Sequence, residues 1–248
     1  MLKKFFLAVY VWTYVSVTLF LIFIPYFILW IITFWFDKKK IAIQKFTQWW
    51  NTFYIYSFPF WRVNIIGKEK LRRDMAGVAI SNHCSLLDIV FLFHTFAYFN
   101  WVSKIENFRV PVLGWVMYLN GYIKLKREDP RTFPKMFEGI KEALKNNQLV
   151  MIFPEGTRSK SGQVGRFKEG AFKAAIENKV PIIPIVLDGT DRILPKDDFV
   201  IHKKTLITIK ILDPVPYEKF PSYDPAILKE YFRNIILEEL NTIRNNNK

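Results

Sequence analysis

The longest apolar pattern in the chain covers residues 5–36, which include no charged side chain. As a straight helix this segment would extend about 48 Å, well beyond a bilayer hydrocarbon core of about 30 Å. Pro25 lies two-thirds of the way along it and removes one backbone donor. The pattern predicts a membrane anchor in one of three arrangements: a tilted span, a kinked helix that enters one leaflet, or a short hairpin.

Lysines flank this apolar segment on both sides, at positions 3 and 4 and at positions 38–40. Because Lys and Arg accumulate in loops that stay in the cytoplasm, we expect both ends on the cytoplasmic side. A cleaved signal peptide is disfavoured, since the apolar region is too long and lacks a small-residue cleavage site. The sequence therefore predicts a membrane-anchored protein on the cytoplasmic face, as at a bacterial inner membrane.

An aromatic-rich amphipathic pattern continues over residues 41–61. Aromatic side chains of this kind favour the headgroup level of a bilayer. The alternative is a core helix that packs the same rings inward. The interfacial interpretation predicts a membrane-anchoring domain of two helices over residues 1–61 and a second domain over residues 62–248.

Beyond residue 61 the pattern changes to short β-rich runs separated by segments with helical spacing. Apolar residues recur at helical spacing within 136–144 and again within 227–240, after Asp224-Pro225. Alternating strands and helices are typical of an α/β fold, so we expect a mixed, largely parallel sheet flanked by helices. The predicted strands cover residues 63–66, 78–81, 99–103, 122–125, 149–153, 182–187 and 206–212.

Charge and composition change this picture by indicating a partner. The chain combines a formal charge of +14 with 51% hydrophobic and 17% aromatic residues. Basic proteins that bind nucleic acid seldom carry so many Phe and Trp in one segment, so we expect an anionic lipid surface and no nucleic acid. The one cysteine, Cys84, excludes an intramolecular disulfide and fits a reducing compartment.

The chain has three histidines, and without spaced cysteines they do not match a common zinc site. We therefore expect no metal. His94, among apolar neighbours, is expected in the core or an interface, and His202 on the surface. His83 is the histidine with a candidate chemical role.

His83 and Asp88 lie five positions apart, just after the predicted strand 78–81. On one continuous helix the two side chains would point about 140° apart, so they meet only if His83 is in a loop and Asp88 in the first helical turn. Ser85 is the predicted N-cap of that helix. A carboxylate bonded to one imidazole nitrogen leaves the other free to take a proton. The pair thus matches a general base, and the alternative is a helix cap beside an ordinary loop histidine.

The apolar run 149–152 ends in a polar cluster, Phe153-Pro154-Glu155-Gly156-Thr157-Arg158. Strand ends are where α/β folds place their ligands, so this cluster is a second candidate site. Gly156 lets backbone amides approach a substrate, and Arg158 can hold a phosphate in a bidentate way that a lysine cannot. The alternative is a strand-to-loop turn in which Arg158 pairs with Glu155.

Two further cations, Lys104 and Arg127, follow predicted strands. Together with Arg158 they would give a suitable environment for a dianionic phosphomonoester. For each of them taken alone, a solvated surface position is the alternative.

The spacing Asn82-His83-x-x-x-x-Asp88 resembles the first motif of the glycerolipid acyltransferase family, and the segment 153–159 resembles its second. The resemblance covers roughly residues 60–190 and is strongest to members that acylate 1-acylglycerol 3-phosphate. It implies that His83 deprotonates a lipid hydroxyl that attacks an acyl thioester, and that Arg158 binds the acceptor phosphate. The predicted site residues are then His83 and Asp88 for catalysis and, for substrate binding, Asn82, Lys104, Arg127, Glu155, Gly156, Thr157 and Arg158.

Other segments extend the resemblance, and one departs from it. The segment 121–127 resembles the family's Gly-x-x-Phe-Ile-Asp-Arg motif, but Lys124 replaces the aromatic residue and Lys126 the acidic one. A changed charge beside Arg127 would suit a different headgroup. Residues 180–187 resemble a further motif, and residues 1–61 resemble the two-helix membrane anchor of some bacterial members.

The resemblance implies a membrane-bound enzyme of phospholipid biosynthesis that converts lysophosphatidic acid to phosphatidic acid. Its co-substrate would be acyl-CoA or an acyl carrier protein thioester, with no other cofactor. Two alternatives stay open: the same chemistry on glycerol 3-phosphate or another lysolipid, and a non-catalytic basic protein that sequesters anionic lipid. A thiol nucleophile at Cys84 is disfavoured, because adjacent side chains such as His83 and Cys84 normally point apart.

Overall fold

The computed structural model describes residues 2–58, 61–72, 74–198, 200–201 and 205–246, with side chains from Phe6 onward. His202, predicted to be exposed, lies outside the described residues. The helices are α1 (Leu2–Thr33), α2 (Ile41–Ser57), α3 (Leu87–Phe93), α4 (Leu113–Asn120), α5 (Phe133–Lys145), α6 (Gly170–Asn178), α7 (Thr190–Ile193) and α8 (Pro225–Asn246). The strands are β1 (Trp61–Ile66), β2 (Gly77–Ser81), β3 (Phe99–Lys104), β4 (Ile123–Leu125), β5 (Leu149–Ile152), β6 (Ile182–Asp188) and β7 (Thr205–Ile211).

The seven strands form one sheet in the order β1-β7-β6-β2-β5-β3-β4. Five neighbouring strands, from β6 to β4 in that order, run parallel. Strand β7 is antiparallel to β6, and β1 is parallel to β7, so these two strands run the opposite way. The predicted mixed, largely parallel sheet is confirmed, and every predicted run forms a strand within two residues of its predicted bounds.

Helices cover both faces of the sheet, which explains why its strands are apolar on both sides. Side chains alternate between faces along a strand, so Val150 of β5 joins one core cluster and its neighbour Met151 the other. The Val150 cluster includes residues of α5, α6 and α8, such as Ile140 and Phe232. The Met151 cluster includes Phe91 of α3.

Helix α1 is continuous from Leu2 to Thr33, with Pro25 inside it. Of the three arrangements predicted for residues 5–36, the short hairpin is therefore excluded. Among the described residues, the segment Phe6–Thr33 is the one helical stretch long and apolar enough to cross a membrane. The predicted anchor of two helices is corrected to one apolar helix followed by an amphipathic one.

Helix α2 lies against α1 and contributes to the core, which is why it is amphipathic. The hydroxyl groups of Tyr14 and Ser57 are 3.0 Å apart across the two helices. Trp50 of α2 is buried with Tyr26 of α1 in a cluster that also includes Val116 of α4. Other aromatic residues of α2, such as Trp49 and Tyr56, are exposed. The aromatic segment ends before Trp61, which begins β1, and the division into domains at residue 61 stays a prediction.

Candidate functional site

The carboxyl ends of four parallel strands bring the predicted site residues to one edge of the sheet. His83 follows β2, the segment 153–158 follows β5, Lys104 ends β3, and Arg127 follows β4. Loops at this edge of an α/β sheet are the usual place for ligands. The sheet order therefore explains how residues far apart in sequence come to face one region.

His83 and Asp88 meet as their spacing predicts. His83 lies in the loop after β2, Asp88 lies in the first turn of α3, and the His83 Nδ1 to Asp88 Oδ2 distance is 2.7 Å. Helix α3 begins one residue later than predicted, with Leu86 instead of Ser85 at the N-cap position and no side-chain bond from Leu86. The Ser85 hydroxyl instead donates to the Leu194 carbonyl and accepts from the Leu87 N–H.

The Asp88 carboxylate is fully buried and is held by four donors. Besides His83, the backbone N–H groups of Cys84 and Ser85 donate to Oδ2 at 2.7 and 2.9 Å. The Thr190 hydroxyl donates to Oδ1. Hydrogen bonds of this kind stabilise the ionised form of a buried carboxylate. An ionised carboxylate only accepts, so the proton of a neutral His83 ring lies on Nδ1 and the lone pair on Nε2.

Glu155 ties the His83 loop to the loop after β5. Its Oε1 accepts the His83 N–H at 2.9 Å, and its Oε2 accepts the Gly165 N–H at 3.1 Å. The Ser159 N–H donates to the His83 carbonyl at 2.7 Å, so the main chain of His83 is bonded on both sides. Burial raises the pKa of Glu155, while the two N–H donors act in the opposite direction. These bonds give Glu155 a positioning role, and its predicted contact with substrate stays a prediction.

The His83 ring also has a fixed orientation. It stacks on Phe153 with ring centres 4.0 Å apart and an interplanar angle of 11°. The His83 side chain is 12% exposed, whereas that of Asp88 is fully buried. Within the described part of the chain, Nε2 has no hydrogen-bond partner. The ring thus keeps one nitrogen free to accept a proton.

Asn82 is fully buried, and its side-chain amide forms hydrogen bonds with the backbone of strand β6. Its Nδ2 donates to the Leu187 carbonyl at 2.8 Å, and its Oδ1 accepts the Leu187 N–H at 2.9 Å. Asn82 therefore fixes the point where the chain leaves the sheet for the His83 loop. Its predicted contact with substrate stays a prediction.

Arg158 lies beside the His83 loop and is half-buried. Among the described residues Arg158 forms no ion pair with Glu155, whose oxygens accept the His83 and Gly165 N–H groups, so the alternative in which the two pair is wrong. Lys196 donates to the Arg158 carbonyl at 2.7 Å and lies 3.3 Å from the Thr157 hydroxyl. Gly156, at φ +70°, makes the left-handed turn that this loop requires.

Lys104 and Arg127 lie further along the same edge. By strand spacing they are two and three strands from β2, about 10 and 14 Å away. The Lys104 Nζ is 3.7 Å from Glu106 and 3.8 Å from Glu128. Burial lowers the pKa of Arg127, and the same two glutamates oppose the shift. Lys104 is thus the nearer of the two to His83.

The two lysines that depart from the family motif have local partners. The Lys124 Nζ lies 3.8 Å from the centre of the Tyr118 ring, and Lys126 lies 3.5 Å from an Asp129 oxygen. Lys124 and Lys126 thus each have a local partner other than Arg127.

Cys84 does not suit a nucleophile. Its side chain is buried, and burial together with Asp88 raises the pKa of the thiol to about 12. A neutral thiol is a poor nucleophile. Among the described residues, no three His, Cys, Asp or Glu side chains are arranged to hold a metal ion, and the expected lack of a metal or cofactor stays a prediction.

Sequence reasoning missed Thr190, Lys196 and Gly165. A signal was present for Thr190, because it directly follows β6, whose carboxyl end lies at the same edge. Gly165 is required by proximity, since a Cβ there would lie 2.6 Å from the Glu155 Oε2. Val164 and Phe167 of the loop 159–170 are buried in the core, and Arg233 of α8 donates to the Val164 and Gly165 carbonyls.

Comparison with known proteins adds sequence relatives to this geometry. The acyltransferase family model matches residues 62–188. A 1-acyl-sn-glycerol-3-phosphate acyltransferase of Arabidopsis thaliana, described as chloroplastic, is 41% identical over 162 residues, which make up 64% of this chain and 45% of that protein. A chloroplastic protein of the same name from Brassica napus is 36% identical over 210 residues, or 84% of this chain and 59% of that protein. The chain spans about half the length of these relatives.

A more distant relative and a solved structure extend the comparison. The 1-acyl-sn-glycerol-3-phosphate acyltransferase of Saccharomyces cerevisiae is 30% identical over 185 residues, or 73% of this chain and 60% of that protein. The crystal structure of the 1-acyl-sn-glycerophosphate acyltransferase of Thermotoga maritima matches with a TM-score of 0.78 and 22% identity. That match covers 98% of this chain and 97% of the other and shows a shared fold.

Proposed function

The chain belongs to the acyltransferase family, as the motifs predict, and from this premise we propose that it converts lysophosphatidic acid to phosphatidic acid. The observation that carries the proposal is the 2.7 Å bond between His83 Nδ1 and the buried Asp88 carboxylate, with the His83 Nε2 left free at the sheet edge. The names of the Arabidopsis and Brassica relatives support this acceptor.

In the proposed reaction His83 acts as the general base, oriented by Asp88. Its Nε2 takes the proton from the free hydroxyl of the acceptor while that oxygen attacks the carbonyl carbon of an acyl thioester. The new C–O bond forms, the C–S bond breaks, and the leaving thiolate receives the proton back from the imidazolium. The Asp88 carboxylate stabilises that imidazolium, so no covalent acyl-enzyme is required.

The proposed acceptor site lies next to this base. Arg158 binds the phosphate of the acceptor, Lys104 adds a second positive charge, and Arg127 lies at the far end of the same edge. A guanidinium matches the geometry of a phosphate and can bind two of its oxygens. Gly156 and Thr157 form the turn between Arg158 and Glu155, and Glu155 bonds the His83 loop.

In this proposal helix α1 attaches the protein to a membrane. Membrane attachment suits the reaction because both substrates carry acyl chains. Its length and apolar composition support attachment. The lysines at both ends support a catalytic domain on the cytoplasmic face, as at a bacterial inner membrane. The donor is acyl-CoA or an acyl carrier protein thioester.

The test is turnover of purified protein in detergent, supplied with lysophosphatidic acid and a labelled acyl thioester. His83→Ala should lower kcat by a factor of about 1,000 or more, because general base catalysis and hydroxyl positioning are both lost.

Cys84→Ser is the matched control, because it changes the next residue and keeps its size. It should retain most activity, as a neutral thiol contributes nothing to the proposed reaction. A folded His83→Ala protein with wild-type turnover would defeat the proposal. Product from glycerol 3-phosphate alone would move it to another acceptor.

A further inference from the structure

A lysine-lined cavity of about 560 Å³ lies between β4, α5 and the loop that joins α1 to α2. It extends from Asn100 and Gln148, near the amino ends of β3 and β5, to Ile105 and Lys126, which are the chain neighbours of Lys104 and Arg127. None of the predicted site residues lines it, so the cavity adjoins the far end of the proposed acceptor site without including its residues.

The lining of this cavity has more lysines than carboxylates, although Lys126 also pairs with Asp129 outside it. Glu142 is the one carboxylate among its lining residues. Burial lowers the pKa of Lys40, and Glu142 opposes that shift. A site with this excess of positive charge suits an anion. The five lysines that line it are Lys38, Lys40, Lys124, Lys126 and Lys135.

A mainly apolar cleft of about 290 Å³ adjoins the cavity and shares Lys38 and Lys40 with it. Asp37 also lines the cleft, and its carboxylate accepts the Ile41 and Ala42 N–H groups. Trp30 and Phe34 line the cleft, at the end of α1 and in the turn that follows it. The adjoining Trp35 is largely exposed. An apolar cleft that opens into a basic cavity, beside a helix suited to a membrane, has the polarity of a phospholipid.

We propose that the cleft and cavity together bind one anionic membrane phospholipid. Its phosphate lies among Lys38, Lys40 and Lys135, and an acyl chain lies along Trp30 and Phe34. The apolar cleft favours a lipid over a soluble phosphate ester. Such a lipid links the end of α1 to α5 and sets the position of the membrane surface relative to the sheet.

The experiment measures the affinity of the full chain in neutral detergent for dioctanoyl phosphatidylglycerol by calorimetry. The double variant Lys38→Gln, Lys40→Gln should bind at least about tenfold more weakly, given the contribution of each lysine to anionic lipid binding. Lys39→Gln is the matched control, because it removes the same charge from the same loop but does not line the cavity. It should bind like the wild type.

Further arms identify the ligand and protect against misfolding. Glycerol 1-phosphate, which has the phosphate and hydroxyls without chains, and zwitterionic dioctanoyl phosphatidylcholine should both bind at least about tenfold more weakly than phosphatidylglycerol. If the double variant unfolds, Lys135→Gln on α5 replaces it, with the exposed Lys145→Gln as its control. The variant at 135 should weaken binding by about fivefold and the control should not.

Three results would overturn the proposal. Equal affinity of the double variant and Lys39→Gln would show that the cavity lysines are not the site. Equal affinity for glycerol 1-phosphate would replace the lipid with a soluble phosphate ester. Binding lost in Arg158→Ala but kept in the double variant would place the lipid in the proposed acceptor site, which leaves the proposed function intact.

Discussion

Thr190 fixes the second oxygen of the Asp88 carboxylate through its hydroxyl group. Thr190→Val removes that donor and keeps the shape of the side chain, so Asp88 and the His83 ring lose one constraint. We expect kcat to fall about tenfold, close to the contribution of one hydrogen bond to a charged group. Both KM values should change little, because Thr190 acts through Asp88.

Steady-state kinetics of Thr190→Val and Thr190→Ser check this role. The serine variant keeps a hydroxyl and should recover most of the lost kcat. A purely structural role would lower the unfolding temperature of both variants together and leave the kcat of the folded protein unchanged.

Arg158 is the residue on which acceptor recognition depends in the proposal. Arg158→Ala should raise the KM for lysophosphatidic acid about tenfold or more, because a charge-assisted bidentate contact is lost. The KM for the acyl donor should remain within about twofold. Arg166→Ala, which removes the same charge from an exposed position, is the control. Equal changes in both KM values would place Arg158 outside the acceptor site.

At the scale of elements, α8 covers one face of the sheet through a row of buried side chains. Phe232 is fully buried and stacks with Phe172 of α6, with ring centres 5.9 Å apart. Phe232→Ala should lower the free energy of unfolding by about 3–5 kcal/mol. Tyr231→Ala, at a 39% exposed neighbour, should cost less than about 1 kcal/mol. Denaturant unfolding in detergent compares the two, and equal losses would show that α8 does not cover the core.

Short-range elements of the site could be predicted, and long-range ones could not. The contact between His83 and Asp88 follows from five positions of spacing, and the strands follow from apolar runs that bury both faces. The Thr190 to Asp88 bond spans 102 positions, and the Asn82 to Leu187 bonds span 105. Such contacts depend on the strand order, and no local pattern specifies that β6 lies beside β2. For the same reason, the sequence did not predict that β7 and β1 run opposite to the other five strands.

At the scale of the whole molecule, α1 is part of the packed structure as well as the candidate anchor. Tyr26 of α1 is fully buried between Trp50 and Val116, and its hydroxyl accepts from Asn120. Deletion of residues 1–40 should therefore release much of the protein from membranes and also lower its unfolding temperature.

Fractionation in high salt and thermal unfolding of the truncated protein check both parts. A truncated protein that stays wholly in the membrane pellet without aggregating would show that α1 is not the main attachment. An unchanged unfolding temperature would show that the packing around Tyr26 contributes no stability.

The amide of Asn82 has a consequence for how this chain tolerates substitution. Because it meets both the N–H and the C=O of Leu187, the side chain imitates one more peptide unit of β2. A peptide unit needs a donor and an acceptor together, and aspartate at this position would supply no donor although it has nearly the same shape. A side chain at position 82 must therefore supply both a donor and an acceptor. A substitution that removes either one should displace the loop that holds the neighbouring His83.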